Sequence, residues 1–560
     1  MVKKLLMKNR FIKHYVNNYR LGKKHPSWKL LLKRNKNLWR SALAKAKTEN
    51  KVLIATSVGV YFAGTTFESM LAVALTLRGA QAHVFLCDGI LPACLGCTMV
   101  SHPDQKHFAK YGPLKDLCIG CFSSASKIFR SLGIKVHRYS DFLTDHDIKK
   151  VKEISSTIKL KEIGNYTLDS IKVGEHALAG ALRFFARGNL DNEPYAEPIL
   201  RRYFQASLLT TFSITKLLQR YKFTSAVFHH GIYVPQGLIA EVCRKMYVRV
   251  VTWWPGYKTK TFVLSHGDTY HRAMMSEPTD KWEAIPWSES LYSQLREYLR
   301  SRWEGTYDWI WFHYKPEFNL ENFLSSFNID PHKPCIGALT SVMWDAVLHY
   351  PSNAFPNMLE WLKCTIDYFV KRQDLQLLIR VHPAEIRGTL PSRQRAVDEI
   401  NKIYTKLPKN IILIPPENNI STYPLMSQCD TIIIYNTKTG VELTAMGMPV
   451  IVAGEAWIRD KGFAIDVHNP SQYLQALNKL PLRKRMAEED VLKAKKYAFH
   501  FFFRRMIPLE FVEKSQGNPP YRLNLRNLDE LMPGESLGLD VMCEGILKGK
   551  DFIYPAETRV

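Results

Sequence analysis

LIRVHPAE (378–385) and YNTKTGVELTAMGMPVIVAGEAWIRDKGF (435–463) decide how this chain folds. Residues 377–381, LLIRV, are an apolar run ending at His382-Pro383, and residues 431–436, TIIIYN, are a second. Both read as strands covered on two faces. The second stops at Thr437-Lys438-Thr439-Gly440, where Val441, Leu443, Thr444 and Met446 set a helical spacing that ends at Gly447. MPVIVAG (448–454) supplies a third strand. Strand, polar turn, helix, strand is the βαβ unit of an open parallel sheet, whose ligands sit at the carboxyl ends of the strands. Free amides at the helix start, beside the hydroxyls of Thr437 and Thr439, predict a phosphate site. His382, with Arg380 two residues earlier on the same face, reads as a phosphate clamp; the alternative is a plain turn at a strand end. Glu442, one turn into the helix, is expected to accept hydrogen bonds from ribose hydroxyls, or else to be a carboxylate held by the helix dipole. Lys438 either balances phosphate charge or is solvated.

At 560 residues the chain exceeds what one hydrophobic core supports, which predicts two domains with appendages. An apolar fraction of 46% is that of a globular protein. The longer apolar runs, such as 70–75, fall far short of the ~20 residues that cross a bilayer. Lysines interrupt any signal-like stretch at the start, so a cytoplasmic protein is expected. The net charge of +25 is uneven, with 13 Lys and Arg and no Asp or Glu in residues 1–40. Apolar residues from Leu5 to Trp39 lie between those charges. The segment either lies on an anionic membrane surface or packs loosely as a solvated extension. No nucleic-acid module follows it, so nucleic acid is not an expected partner.

Ten cysteines occur, and Cys94, Cys97, Cys118 and Cys121 form two CxxC pairs with twenty residues between them. That spacing predicts a tetrathiolate structural Zn²⁺, with an iron–sulfur cluster or bare thiols as the alternatives. The pairs follow an apparent strand at 82–89, so the staple would order an insertion at a strand's carboxyl end.

The remaining pattern gives a basic extension (1–48), a first Rossmann-like domain (49–325) carrying the cysteine insertion (about 90–125), a second Rossmann-like domain (326–484), and a terminal helix with a tail (485–560). In the first domain, residues 51–59 and 82–89 read as strands around a helix from Thr65 or Thr66 to Leu77. Glu68 stands three residues after Thr65, which also suits a capping box. Residues 225–237 read as a strand with His229 and His230 at its tip. Asp145-His146-Asp147 has the form of a metal-binding DxD, but its polar helix-start context argues for a cap.

Two Rossmann-like lobes and a final helix returning to the first resemble the GT-B architecture of glycosyltransferases, with a facing cleft. The second lobe resembles bacterial capsule-polysaccharide synthesis proteins, including the Kdo transferases that build the lipid-attached capsule linker. The resemblance rests on His382-Pro383, on Asn436-Thr437-Lys438-Thr439-Gly440-Val441-Glu442, on Gly447-Met448-Pro449-Val450 and on Lys461-Gly462-Phe463. The family's usual turn has Ser where Thr437 stands, so the hydroxyl survives. A similar HP dipeptide meets the donor phosphate in bacterial sialyltransferases and in glycerophosphate transferases of teichoic acid synthesis. The resemblance implies a metal-independent transferase that moves a sugar from a nucleotide-activated donor to a capsular, surface-polysaccharide or lipid-linked acceptor, at the inner face of the cytoplasmic membrane. It places donor binding at Arg380, His382, Pro383, Asn436, Thr437, Lys438, Thr439, Gly440 and Glu442.

The acceptor and general base would belong to the first lobe, with Glu68, Asp88, His229, His230 and His266 as candidates. Adjacent residues of a strand point to opposite faces, so at most one of His229 and His230 faces the cleft, and the alternative for each is a satisfied core histidine beside a turn glycine. Three further readings stay open: a non-hydrolysing nucleotide-sugar 2-epimerase, a glycerophosphate transferase, and a non-catalytic scaffold with a degenerate transferase fold.

Overall fold

A computed structural model describes residues 28–46, 50–309, 316–319, 324–325, 327, 329–516 and 519–559. The chain forms two units. The first comprises residues 1–185, 190–273 and 505–554, and the second comprises residues 186–189, 274–504 and 555–560. The boundary therefore falls near residue 274 rather than at 325, because the helix Glu289–Glu304 packs with elements of the second unit. The terminal helix Glu488–Phe499 also belongs to the second unit, where Tyr497 packs on Trp282 and Phe463. The chain re-enters the first unit only at Arg505.

The first unit holds a seven-stranded sheet. Strands β1 (Lys51–Ser57), β2 (Gln81–Leu86), β3 (Lys135–Arg138), β4 (Ser225–His229) and β5 (Arg249–Pro255) are parallel. β6 (Thr261–His266) runs antiparallel to β5, and β13 (Ile507–Pro508) antiparallel to β6. In the spatial order β13-β6-β5-β4-β1-β2-β3, the winding reverses between β1 and β4. The helix Phe62–Leu77 is buried from Phe62 to Thr76, as a helix apolar on all sides must be. Its outer face is covered by the C-terminal tail. Tyr521 donates to the Ala63 carbonyl (2.6 Å), and Arg78 pairs with Asp540 (2.5 Å).

Residues 28–45 pack on this unit instead of presenting an amphipathic face. Buried Trp28 donates to Ser69 Oγ (3.0 Å), and Trp39 donates to the Leu132 carbonyl (3.1 Å). The rest of the basic extension, residues 1–27, lies outside the described residues. Among the described residues no helix is long and apolar enough to cross a membrane.

The second unit holds a six-stranded, wholly parallel sheet in the order β12-β11-β10-β7-β8-β9. These strands are β7 (Cys335–Leu339), β8 (Gln376–Arg380), β9 (Ile411–Ile414), β10 (Thr431–Ile434), β11 (Val450–Val452) and β12 (Ile465–Asp466). Trp361, Phe369, Leu377, Ile379 and Ile433 fill one side of it. The β-branched run read from sequence is β10 at the centre. The winding reverses between β10 and β7, so a crevice forms at their carboxyl ends.

Buried histidines make the first unit acid-sensitive. His83 and His137 share an Nδ1···Nε2 contact of 3.0 Å, and burial pushes His83 down to about 3 and His137 down to about 4. Burial likewise pushes His230 down to about 3 and His271 to about 4. Between pH 6.5 and those values the unfolded chain binds protons that the native state refuses, so stability present above about pH 6.5 is lost on acidification. Glu68, raised by burial to about 7, works the other way, but it is one group against four. The protection of the amides of β1, β2 and β4 against hydrogen exchange, measured relative to the intrinsic rate at each pH, is expected to fall between pH 7 and pH 5. Each histidine contributes up to about 1.4 kcal/mol per pH unit.

Candidate functional site

In the second unit, four strand ends converge on the reversal point. Ser341, just past β7, donates to Asn436 Oδ1, just past β10. Asn436 Nδ2 in turn donates to Glu455 Oε1 (3.3 Å), three residues beyond β11. Glu455 is buried, which raises its carboxyl to about 7, and its Oε2 has no hydrogen-bond partner. Sequence reading missed Ser341 and Glu455. The AGE step after the β11 run was the available signal, since a carboxylate at a strand end of a reversing sheet faces the ligand edge.

His382 stands past β8 and is half-buried. Its backbone N–H donates to Thr340 Oγ1 (3.0 Å), and its Nδ1 accepts from the Ala384 N–H (3.0 Å). An accepting Nδ1 places the proton of the neutral ring on Nε2, which is thereby a donor. Pro383 is buried and opens the short helix Ala384–Arg387, which fixes the turn.

Arg380 does not join His382 as a phosphate clamp. Only 2% of it is exposed, and its guanidinium donates to the carbonyls of Pro415 (2.8 Å) and Asn418 (2.9 Å). It staples the loop after β9, whose carbonyls have no strand to answer them. Glu442 and Lys438 are also not ligand groups here. The Glu442 carboxylate is buried between Arg302 Nε (2.6 Å) and Lys438 Nζ (2.6 Å). Burial alone would raise its pKa, yet the two cations hold it below the usual value.

The turn itself is tighter than expected. The Thr439 N–H meets Thr437 Oγ1 (3.4 Å), the Gly440 N–H meets the Thr437 carbonyl (3.3 Å), and the Val441 N–H meets the Lys438 carbonyl (2.9 Å). The opening amides of the seven-residue helix Thr439–Ala445 are thus answered within the turn, and no ready cradle of free amides exists. Gly440 is required by close packing, since a Cβ there would meet Ile434 Cδ1 at 2.7 Å and Ile458 Cδ1 at 2.9 Å. Gly447, at φ +82°, ends the helix in the left-handed region. Lys461 donates to the carbonyls of Met275 and Glu277 (both 2.7 Å), which makes it a tie within the unit.

In the first unit, the reversal point between β1 and β4 gathers three of the expected residues. Ser57 (φ +58°) and His230 (φ +62°) both take left-handed backbone at the ends of these neighbouring strands. Such strain in non-glycine residues persists only where surrounding structure enforces it, and it clusters at functional sites. His229 Nε2 lies 3.2 Å from Tyr61 Oη, and its Nδ1 is buried without a partner. His230 packs against Trp254 and Tyr270, with Nδ1 likewise unpartnered. Burial holds both rings neutral. Glu68 sits inside the helix Phe62–Leu77, so it forms no capping box with Thr65; its Oε1 accepts from Trp253 Nε1 (2.8 Å) and its Oε2 is buried without a partner.

The other two candidates lie elsewhere. Asp88 has both oxygens on Ser140, accepting from its N–H (3.3 Å) and its hydroxyl (2.5 Å). His266 pairs in register with Val251, towards the amino end of the parallel strands, and its Nε2 meets the Lys550 carbonyl (2.9 Å). Asp147 is the N3 residue of a capping box with Thr144, as its context suggested.

The cysteines do not assemble into the expected zinc site. Cys94 Sγ and Cys97 Sγ are 3.8 Å apart on one turn, but Cys118 and Cys121 ride the helix Lys115–Ser131, where Cys121 Sγ accepts from the Val60 N–H (3.2 Å). Among the described residues no group of three or more His, Cys, Asp or Glu is placed to hold a metal ion. The residues as arranged do not fit a tetrathiolate.

No curated protein matches the chain. Among solved structures, it is similar to the beta Kdo 2,4 transferase of Thermosulfurimonas dismutans KpsC, at 12% identity and a TM-score of 0.33 over 49% of this chain and 79% of that one. The beta Kdo 2,7 transferase of the same KpsC gives 14% identity and 0.31, over 57% and 88%. The UDP-GlcNAc 2-epimerase from Neisseria meningitidis gives 12% and 0.24, over 80% and 94%. Overlaps of this size do not establish a shared fold. The sequence itself is more specific, because residues 346–497 match the family described as capsule polysaccharide biosynthesis protein. Those residues include His382-Pro383, the Asn436-to-Glu442 turn and Lys461-Gly462-Phe463, and the match lies within the second unit.

Proposed function

We propose that this protein is a glycosyltransferase that moves a sugar from a nucleotide-activated donor to a capsular or other surface-polysaccharide acceptor, free or lipid-linked. The observation that carries the reading is His382 at the reversal point of the second sheet. Ala384 fixes its tautomer, so that Nε2–H is a donor, and it lies within the matched family segment. The donor nucleotide sugar is assigned to the crevice edge formed by His382, Asn436, Thr437 and Thr439. As the anomeric C–O bond breaks, negative charge grows on the departing phosphate, and a donor held at this edge would stabilise the transition state more than the ground state. The acceptor hydroxyl bonds to the anomeric carbon and surrenders its proton to a base. The base is assigned to the first unit, where His229, His230 and Glu68 supply neutral imidazoles and a carboxyl with a raised pKa.

The test is incubation with a panel of nucleotide sugars, with and without polysaccharide acceptor, read by free nucleotide and by sugar configuration. Release of nucleotide that depends on acceptor is expected. An epimerised nucleotide sugar formed without acceptor would replace transfer by epimerisation. Absence of any thermal shift across UDP, CMP, CDP and GDP ligands would leave a scaffold, since a ligand at 100 times its Kd adds about 2.7 kcal/mol to the native state.

A further inference from the structure

We infer that Arg183 is the anion-binding residue of the first-unit site, and that the sugar bound there carries a carboxylate or a phosphate. The inference rests on the acceptor role given to this unit above and adds the charge of the group it takes.

Arg183 lies on the helix Val173–Phe185 and is half-buried. Its Nη1 donates to the Leu95 carbonyl (2.8 Å), and its guanidinium lies 5.2 Å from the centroid of the Tyr233 ring. Among the described residues it makes no ion pair, and Nη1 alone of its nitrogens has an acceptor. Its charge reaches Tyr61, Cys94, Tyr203, His229 and His230, and none of these is a carboxylate. Elsewhere in the chain such groups are answered. Arg78 and Arg302 meet carboxylates, and Arg380 and Arg459 spread their donors over several backbone carbonyls. A half-buried guanidinium whose fork is left open calls for an anion, and its planar geometry matches a carboxylate or a phosphate.

Its surroundings show that the anion belongs to a sugar. The Leu95 N–H donates to the Val234 carbonyl (2.7 Å), which ties the guanidinium to the turn that His229 and His230 open. Tyr233, beneath the guanidinium, lies 6.2 Å from the His230 ring between centroids. His229 and His230 are only 7% and 8% exposed, and each holds a buried Nδ1 without a partner. Gln236 Oε1, past β4, and Trp254 Nε1, at the end of β5, are also buried without partners. Buried nitrogens and oxygens left unanswered destabilise the empty site, and ligand groups that answer them recover that free energy. Donors and acceptors are mixed in this set, and hydroxyls, which do both, suit it. Hydroxyls alone leave Arg183 unanswered, so the sugar that completes the site is an acidic one. The net charge of +25 favours its encounter with such a glycan.

The test is a ligand-observed NMR titration of the full chain with three sugars that differ only at C6: glucose, glucuronate and glucose 6-phosphate. No nucleotide sugar is present, so binding is read apart from transfer. One of the anionic sugars is expected to bind at least about tenfold more tightly than glucose, and which one it is tells carboxylate from phosphate. Arg183→Gln is expected to bring that sugar down to the affinity of glucose and to leave glucose where it was. Arg183→Lys keeps the charge without the fork, and its preference is expected to fall between the two. The preference for the anion is the quantity read in both variants, because a fold that had merely loosened would weaken all three sugars alike. Equal binding of the three by the wild type, or none, would overturn the inference. So would an anionic preference that survives in both variants, or an equal loss of all three sugars in both. Arg183-dependent binding without any acceptor-dependent transfer would leave the anion site standing and remove the transferase reading.

Discussion

Replacing His382 by alanine should lower transfer by about 10²–10³-fold in kcat, the range seen when one preorganised donor to a developing charge is removed. The folded state should be little changed, because the ring is half-buried and sits at a turn. Alanine, however, removes two things at once: the Nε2 donor, and the Nδ1 acceptor that receives the Ala384 N–H. His382→Asn separates them. An asparagine Oδ1 can take the place of Nδ1 and keep the Ala384 amide bonded, while nothing replaces the Nε2–H. If His382 acts on the departing phosphate, the asparagine variant is as inactive as the alanine variant and melts with the wild type. If it only shapes the turn, asparagine restores activity, and the transfer mechanism proposed above fails with it. Unchanged turnover in both variants would remove His382 from the reaction altogether.

What the sequence disclosed and what it hid divide along a physical line. The strands of the second sheet were legible because a strand buried on both faces leaves a short apolar run with abrupt polar ends, as β8 does with leucine and isoleucine and β10 with a β-branched run. The place of His382 past a strand end was legible because a strand followed by proline marks where the chain must turn. The fate of Arg380 was not. Alternation fixes the face a side chain takes, but the carbonyls it meets belong to the loop 415–420, whose path no local pattern encodes. Asp88 and Ser140 are similarly 52 positions apart, and only the pairing of β2 with β3 brings them together. The cysteine pairs are a different case. Their spacing is local, with the first pair on a turn and the second on a regular helix, and how the two pairs come together depends on packing that no spacing encodes. The tail was unreadable for a third reason. Its task is to cover the helix Phe62–Leu77, and that need is visible only once the helix is seen to be apolar on every side.

Glu442 carries the second large effect, and on stability rather than catalysis. Its carboxylate sits between Arg302 and Lys438, and Arg302 also pairs with Asp308, whose other oxygen accepts from Tyr298 Oη (3.0 Å). All four charges are wholly or largely buried: two cations and two anions in balance. Glu442→Gln keeps the shape and removes one anion, leaving an uncompensated cation out of water. Breaking such a pair costs about 3–5 kcal/mol, or roughly 10 °C in the melting of a unit this size. The expected result is a large fall in Tm with nucleotide affinity little changed at a temperature where the variant remains folded. Had Glu442 met ribose hydroxyls, as its place one turn into the helix suggested, the same substitution would weaken nucleotide binding and leave Tm near the wild-type value. Arg302→Gln supplies the matching arm. It breaks the same pair from a helix that the ribose reading never involved, so a fall in Tm shared by both variants ties Glu442 to the buried network, whereas a loss of affinity confined to Glu442→Gln would return it to the ligand.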